Sequence, residues 1–184
     1  MTALTPANQL TLLRMLLIPV FAICVIYDYL GPALAVFATA GLTDLLDGLI
    51  ARRAGQKTTL GAWLDPMADK LLLVTTFVVL TLPLEHLTSR LPLWLTVLVI
   101  SRDVCIVATV AIVNLAVGRR TFAPSLFGKI ATATFIVTGV VTLLANYLGR
   151  HLLAVDVCVW ASLAATLLSG LHYIAHAARL TSQA

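Results

Sequence analysis

The sequence predicts an all-α integral membrane protein, a bundle of six transmembrane helices. Three observations carry that expectation. The 184 residues are 60% hydrophobic and only 11% charged, with a mean hydropathy of +1.01, which is more apolar surface than one soluble core of this size can hide. Breaks at Pro, Gly and charge clusters divide the chain into about six apolar stretches, each near the length of roughly 20 residues that a spanning helix needs. Lysine and arginine favour one set of alternate connections, the bias that orients polytopic chains.

The first span is expected near Leu12–Tyr27. Ahead of it, Met1 to Arg14 has neither the early positive charge nor the small-residue cleavage site of a secretory signal, so residues 1–11 read as a short interfacial lead-in. The second and third spans, Ala33–Ala51 and Leu60–Leu82, are joined by the short segment Arg52–Thr59, which makes them antiparallel neighbours. The fourth, Leu91–Val117, carries Arg102 and Asp103 in its interior, and Phe127–Leu148 and Leu152–Ala178 complete the set. No other segment is long enough for a soluble domain, so residues 1–184 are expected to form a single membrane domain.

With the N-terminus inside, the inner side collects Arg14, Arg52, Arg53, Lys57, Arg119, Arg120, Lys129 and Arg179, and the outer side only Arg90 and Arg150. The net charge of +4 and pI near 9.3 suit an inner leaflet of anionic lipid. They do not indicate nucleic acid, because the basic residues are dispersed without interleaved aromatics. Cys24, Cys105 and Cys158 all fall within spans; an odd set of buried thiols is no disulfide framework and is read as packing.

Between Asp44 and Asp69 the chain reads D-x2-D-G-x2-A-R-x8-G-x3-D-x3-D. Ionisable groups in a membrane span cost at least about 2.5 kcal/mol each, so four aspartates need partners that offset them. Residues three, four or seven apart share a helix face, which puts Asp44, Asp47, Gly48 and Ala51 on one stripe of the second span. Gly61, Asp65 and Asp69 form a matching stripe on the third. Four carboxylates converging near the cytoplasmic end cannot all stay ionised without cations among them. Oxygen-only ligands favour hard ions such as Mg2+ or Mn2+, and two ions roughly 3.5–4 Å apart would satisfy the four charges. Gly48, Ala51 and Gly61 leave room beside the ions for a flat base or a diphosphate, and they also serve helix packing. Arg52 offers a fork of donors to phosphate oxygens.

These eight positions, Asp44, Asp47, Gly48, Ala51, Arg52, Gly61, Asp65 and Asp69, resemble the signature of the CDP-alcohol phosphatidyltransferases, membrane enzymes of six transmembrane helices. The segments Asn8–Arg14 with Pro19, and Leu64–Lys70, are similar to the branch that makes phosphatidylglycerophosphate and cardiolipin. The likeness covers most of the chain and thins beyond residue 120 to Gly128, Lys129 and Thr132. It implies transfer of the phosphatidyl group of CDP-diacylglycerol to an acceptor hydroxyl with release of CMP. Asp44, Asp47, Asp65 and Asp69 would bind two Mg2+ or Mn2+ ions, and Asp69 would also take the acceptor proton. Gly48, Ala51, Arg52 and Gly61 would line the cytidine diphosphate pocket. Arg119, Arg120 and Lys129 would hold an anionic acceptor headgroup, a place where they serve equally as inner-surface anchors. A homodimer in a bacterial or mitochondrial inner membrane is implied, with the site toward the cytoplasm or matrix.

The resemblance favours phosphatidylglycerol as acceptor, giving cardiolipin, over glycerol 3-phosphate, giving phosphatidylglycerophosphate. Ala40–Gly48 and Ile100–Val104 are closer to the CMP-forming cardiolipin enzymes, and Asp103 stands where glycerophosphate enzymes carry Glu. Arg102 and Asp103 are adjacent and so do not face each other on a helix; pairing with a neighbour such as Lys70 and a role at the acceptor are both open. His172 and His176 have metal-ligand spacing but no accompanying carboxylate or thiol, and Trp63, Trp94 and Trp160 suit interface belts or packing. A cation or proton-coupled transporter would also place aspartates in a membrane. Clustering at one face, the adjacent Arg52 and the lack of an inverted repeat oppose it, as the motif opposes a non-catalytic scaffold. If two divalent ions are bound by the aspartates, EDTA abolishes CMP release and Mg2+ or Mn2+ restores it; full activity in chelator contradicts the two-ion reading.

Overall fold

Lipid offers no hydrogen-bond partner to a backbone, so long apolar runs without a sheet to join become helices. The computed structural model describes the backbone of residues 6–54, 59–117 and 126–181, and the side chains of residues 9–43, 67–109 and 126–173. Among the described residues there are six helices and no strand: α1 Pro6–Ile26, α2 Leu30–Ala54, α3 Thr59–Thr81, α4 Leu93–Val117, α5 Leu126–Tyr147 and α6 Leu153–Thr181. The ends fall within a few residues of the expected spans. α1 is the exception, since residues 6–11, expected as an interfacial lead-in, are its first turns. Proline at the first helical position lacks only an N–H that has no partner there. Three described stretches are long and apolar enough to cross a membrane, Gln9–Ile26, Leu126–Tyr147 and Leu153–Tyr173, and α2 contributes a shorter apolar run, Leu30–Thr43.

Two helices stop by the same device. At the end of α1, Tyr29 N–H donates to Cys24 O at 2.7 Å and Asp28 N–H to Val25 O at 3.3 Å, with Asp28 at φ 64°. This is the paired closure of a Schellman turn, and aspartate is among the few residues other than glycine that tolerate the left-handed region. α5 ends identically, with Arg150 N–H on Ala145 O at 3.1 Å, Gly149 N–H on Asn146 O at 2.9 Å and Gly149 at φ 61°.

α1 packs on α2 and α3, α5 on α6, and α4 on α6; α3 also meets α4 and α5, and α2 meets α5. Phe21 against Phe37 (5.7 Å between centroids) fastens α1 to α2, and Phe77 edge-on to Phe135 (5.8 Å) fastens α3 to α5. Where α5 crosses α3, a Cβ on Gly139 would stand 3.0 Å from Thr76 Cγ2, so the close approach favours glycine there.

Burial is sorted as a bilayer demands. Leu16, Leu153, Val157, Leu168 and Leu171 point outward, whereas Thr11, Thr76, Thr138, Thr142, Asn146 and Ser162 are buried. Several interior hydroxyls are satisfied locally or across helices: Thr76 Oγ1 donates to Leu72 O at 2.8 Å, Thr138 and Ser162 share a 2.7 Å bond between α5 and α6, and Thr81 and Thr96 a 2.6 Å bond between α3 and α4. Asn146 holds the connection from α3 to α4. Ser89 N–H donates to Asn146 Oδ1 at 2.8 Å, and Asn146 Nδ2 donates to Ser89 O at 2.8 Å and to Thr142 O at 2.9 Å. Asn146→Ala orphans both backbone groups of Ser89 and should cost about 2–4 kcal/mol. The measurement is the unfolding midpoint in detergent, and an unshifted midpoint would show that the connection is held by other means.

Candidate active site

α1 carries Arg14 into a setting with no accessible surface. A guanidinium removed from water needs a carboxylate close by, and Arg14 Nη1 donates to Asp69 Oδ1 of α3. The pair is asymmetric in exposure: the Arg14 side chain is fully buried while that of Asp69 is 47% exposed. Arg14 thus acts from behind, and the carboxylate it holds opens into a cavity of about 500 Å³.

A second charge cluster forms the opposite wall. Arg102 Nη1 donates to Asp103 Oδ1 at 2.7 Å, Arg102 Nη2 donates to Ser169 Oγ of α6, and Lys70 Nζ lies 3.4 Å from Asp103 Oδ2. The expectation that Arg102 and Asp103 do not face each other is corrected here. The backbone directions diverge, but the long guanidinium arm folds back onto its neighbour while Ser169 fixes its other nitrogen. Pairing of Asp103 with Lys70 is present as well. Among the described lining residues, Arg14, Lys70 and Arg102 stand against Asp69 and Asp103, one cation in excess, which favours an anionic occupant. The remaining wall is largely apolar, with Phe37 and Ala40 from α2, Leu72 and Leu73 from α3 and Ile136 from α5.

The described part of α2 meets the cavity at Phe37, Ala40 and Gly41. Continuing the helical repeat, Asp44, Asp47, Gly48 and Ala51 occupy the next turns of the same face, and Arg52 follows within α2. On α3, Gly61 and Asp65 precede Asp69 by two turns and one. The backbone of these seven residues is helical, while their side chains lie outside the described residues. Arg119 and Arg120 lie outside them altogether. Lys129 is exposed on α5 and does not line the cavity, whereas Thr132, nearly one turn on, does. His172 packs its ring on Phe127, 4.7 Å between centroids, the His176 side chain lies outside the described residues, and Trp94 packs on Trp160 at 6.2 Å.

The sequence reading counts Arg14 among the inner-side cations and in the Asn8–Arg14 segment, and does not assign it to the site. The available signal is a lone arginine inside the otherwise apolar stretch Gln9–Ile26. Among the described residues no three His, Cys, Asp or Glu side chains gather in one place, since Asp69 is the only one of the four motif aspartates whose side chain is described. That aspartate is accessible from the cavity, and a donor set made wholly of carboxylate oxygens fits a hard divalent ion.

The sequence profile of the CDP-alcohol phosphatidyltransferases matches residues 4–168. The chain belongs to that family. It is 36% identical over 180 residues to a probable phosphatidylglycerophosphate synthase of Mycobacterium tuberculosis, an alignment covering 94% of this chain and 81% of the relative. Over 107 residues it is 46% identical to the human cardiolipin synthase (CMP-forming), covering 58% of this chain and 34% of the human protein. With a cardiolipin synthase (CMP-forming) of Streptomyces coelicolor it shares 36% identity over 138 residues, 70% of this chain and 60% of the relative. The protein is therefore a membrane-embedded phosphatidyltransferase of phospholipid synthesis, and its family uses divalent metal ions.

Replacing Arg14 by Met leaves the Asp69 carboxylate without its positioning cation and should lower kcat/KM at least about tenfold, with Arg14→Lys retaining more activity than Arg14→Met. Parental activity in both variants, folded by circular dichroism, contradicts a positioning role.

Proposed function

We propose that the enzyme transfers the phosphatidyl group of CDP-diacylglycerol to phosphatidylglycerol, giving cardiolipin and CMP. The observation that carries the reading is the makeup of the cavity beside Asp69: a largely apolar wall from Phe37, Leu72, Leu73 and Ile136 interrupted by Arg14, Lys70 and Arg102. An acceptor that is itself a lipid matches both parts, the apolar wall through its glycerol ester region and the cations through its phosphodiester. A small free anion such as glycerol 3-phosphate would leave the apolar wall unused.

Chemically, the acceptor hydroxyl oxygen forms a bond to the lipid-side phosphorus of the diphosphate, the bond from that phosphorus to the CMP oxygen breaks, and CMP leaves with the electron pair. Asp69 takes the hydroxyl proton; its accessibility from the cavity and its fixed position against Arg14 support that role. Asp44, Asp47, Asp65 and Asp69 would hold two Mg2+ or Mn2+ ions, which when bound neutralise charge on the diphosphate oxygens. Gly48, Ala51 and Gly61 would lie beside the cytidine diphosphate, with Arg52 donating to its phosphates. Arg102, anchored by Ser169, and Lys70 orient the acceptor phosphate; Arg119, Arg120 and Lys129 would attract anionic headgroups at the inner surface. The proposed setting is a bacterial or mitochondrial inner membrane with the site toward the cytoplasm or matrix, and the proposed assembly is a homodimer.

A second reading, with glycerol 3-phosphate as acceptor and phosphatidylglycerophosphate as product, is favoured by the Mycobacterium tuberculosis relative, whose alignment runs over 94% of this chain. The two readings separate in a CMP-release assay with purified protein, CDP-diacylglycerol and Mg2+. Release with phosphatidylglycerol alone is the expected result; release with glycerol 3-phosphate alone would move the enzyme to the glycerophosphate branch.

A further inference from the structure

Lys70 and Asp103 line two spaces at once. On one side they wall the cavity that holds Asp69 and Arg102. On the other they head an open groove of about 360 Å³ between α3 and α4, whose remaining lining is apolar: Val74 of α3 and Ile100, Val104, Val107 and Ala108 of α4. Val104 and Val107 are 61% and 57% exposed, and they lie on the surface that the bundle presents to lipid. Asp103 is about 15 Å along the axis from the Leu93 end of α4, at 1.5 Å per residue, so the groove meets the charged pair inside the bilayer. The partition between lipid and cavity is therefore this pair of side chains.

We infer that the α3–α4 groove is the lateral access path of the phosphatidylglycerol acceptor, with one acyl chain along Val74, Val104 and Val107 and the Lys70–Asp103 pair acting as the gate its phosphodiester displaces. The inference rests on the acceptor proposed above.

Three features support the assignment. Lys70 is the movable member of the gate: its side chain is 46% exposed and its contact to Asp103 is 3.4 Å, a partly solvated pair of the weak kind on a flexible four-carbon stem. Asp103 keeps a partner when Lys70 leaves, because Arg102 holds it at 2.7 Å and Arg102 is itself tied to Ser169. An anionic phosphodiester can thus take Lys70 from Asp103 without stranding a carboxylate in the bundle. Among the described residues no part of the donor's motif helix α2 lines the groove. A lipid arriving along α4 thus meets the shared Lys70–Asp103 pair before the α2 wall of the cavity at Phe37, Ala40 and Gly41. An apolar groove headed by the Lys70–Asp103 pair, with Arg102 behind it, fits an anionic two-chain lipid, and the lack of α2 residues in its described lining favours the acceptor over the donor.

The test fills the groove. Val104→Trp and Val107→Trp put an indole into it at exposed positions where the fold tolerates bulk, and Val97→Trp, exposed on the same helix but outside the groove, is the control. In mixed micelles the two groove variants should raise the apparent KM for dioleoyl phosphatidylglycerol at least about fivefold, with kcat and the KM for CDP-diacylglycerol unchanged, the pattern of lost uniform binding. The control should match the parent. Parental KM for phosphatidylglycerol in both groove variants overturns the access path, and a selective rise in the KM for CDP-diacylglycerol overturns it in favour of a donor groove. Failure of the acceptor reading is distinct: the parent enzyme would then release CMP with glycerol 3-phosphate and none with phosphatidylglycerol, and the access path would fall with it.

Discussion

A charge carried into a bilayer must find its counterion within the protein, and the arrangement of this bundle follows from that requirement. Arg14 enters on α1 and is fully buried, which ties α1 to Asp69 of α3. Lys70, the next residue on α3, reaches Asp103 of α4, and Arg102 extends the chain of contacts to Ser169 of α6. Four helices are thus held in rotation about their axes by polar contacts, and the buried Arg14 is the group among them that most needs its counterion. Apolar packing by itself sets rotation weakly in lipid, because a leucine is equally at home against a helix or an acyl chain.

The same contacts shape the chemistry. Asp69 is held from behind by a cation that solvent cannot reach, while its carboxylate remains accessible from the cavity. Lys70 with Asp103 and Arg102 carries the excess positive charge of the described lining, and the groove on the α4 side of that pair has no described α2 residue in its wall. Donor and acceptor can therefore come from different sides of α3, an arrangement suited to bringing two lipid-borne groups together at one carboxylate. The lining between the charged groups is largely apolar, and an apolar setting strengthens electrostatic contacts.

Much of this was legible in the residues. The six helices follow from hydropathy and their ends fall near the expected ones, except that α1 starts at Pro6, ahead of the expected span. The stripe of Asp44, Asp47, Gly48 and Ala51, and that of Gly61, Asp65 and Asp69, follow from helical spacing within one element. Other features were opaque for a definite reason. Arg14 and Asp69 are 55 positions apart, and Arg102 and Ser169 are 67 apart, so no local pattern connects them. Asp28 ends α1 in a left-handed turn where glycine is the usual signal. The adjacency rule on helix faces misjudged Arg102 and Asp103, because it describes Cβ directions and not the reach of a guanidinium arm.

By itself, then, the sequence determined the class of molecule and the ingredients of its chemistry: hydropathy decides that the chain lives in lipid, and helical spacing sets the motif carboxylates on shared helix faces. The tertiary structure alone decided which cation stands behind Asp69, that Lys70 and Asp103 face two spaces, and which threonines and serines share the interior with its leucines and phenylalanines. These depend on how six helices are rotated and stacked against one another. That is settled by counterion pairing and close packing between residues far apart in the chain, which no single helix can encode.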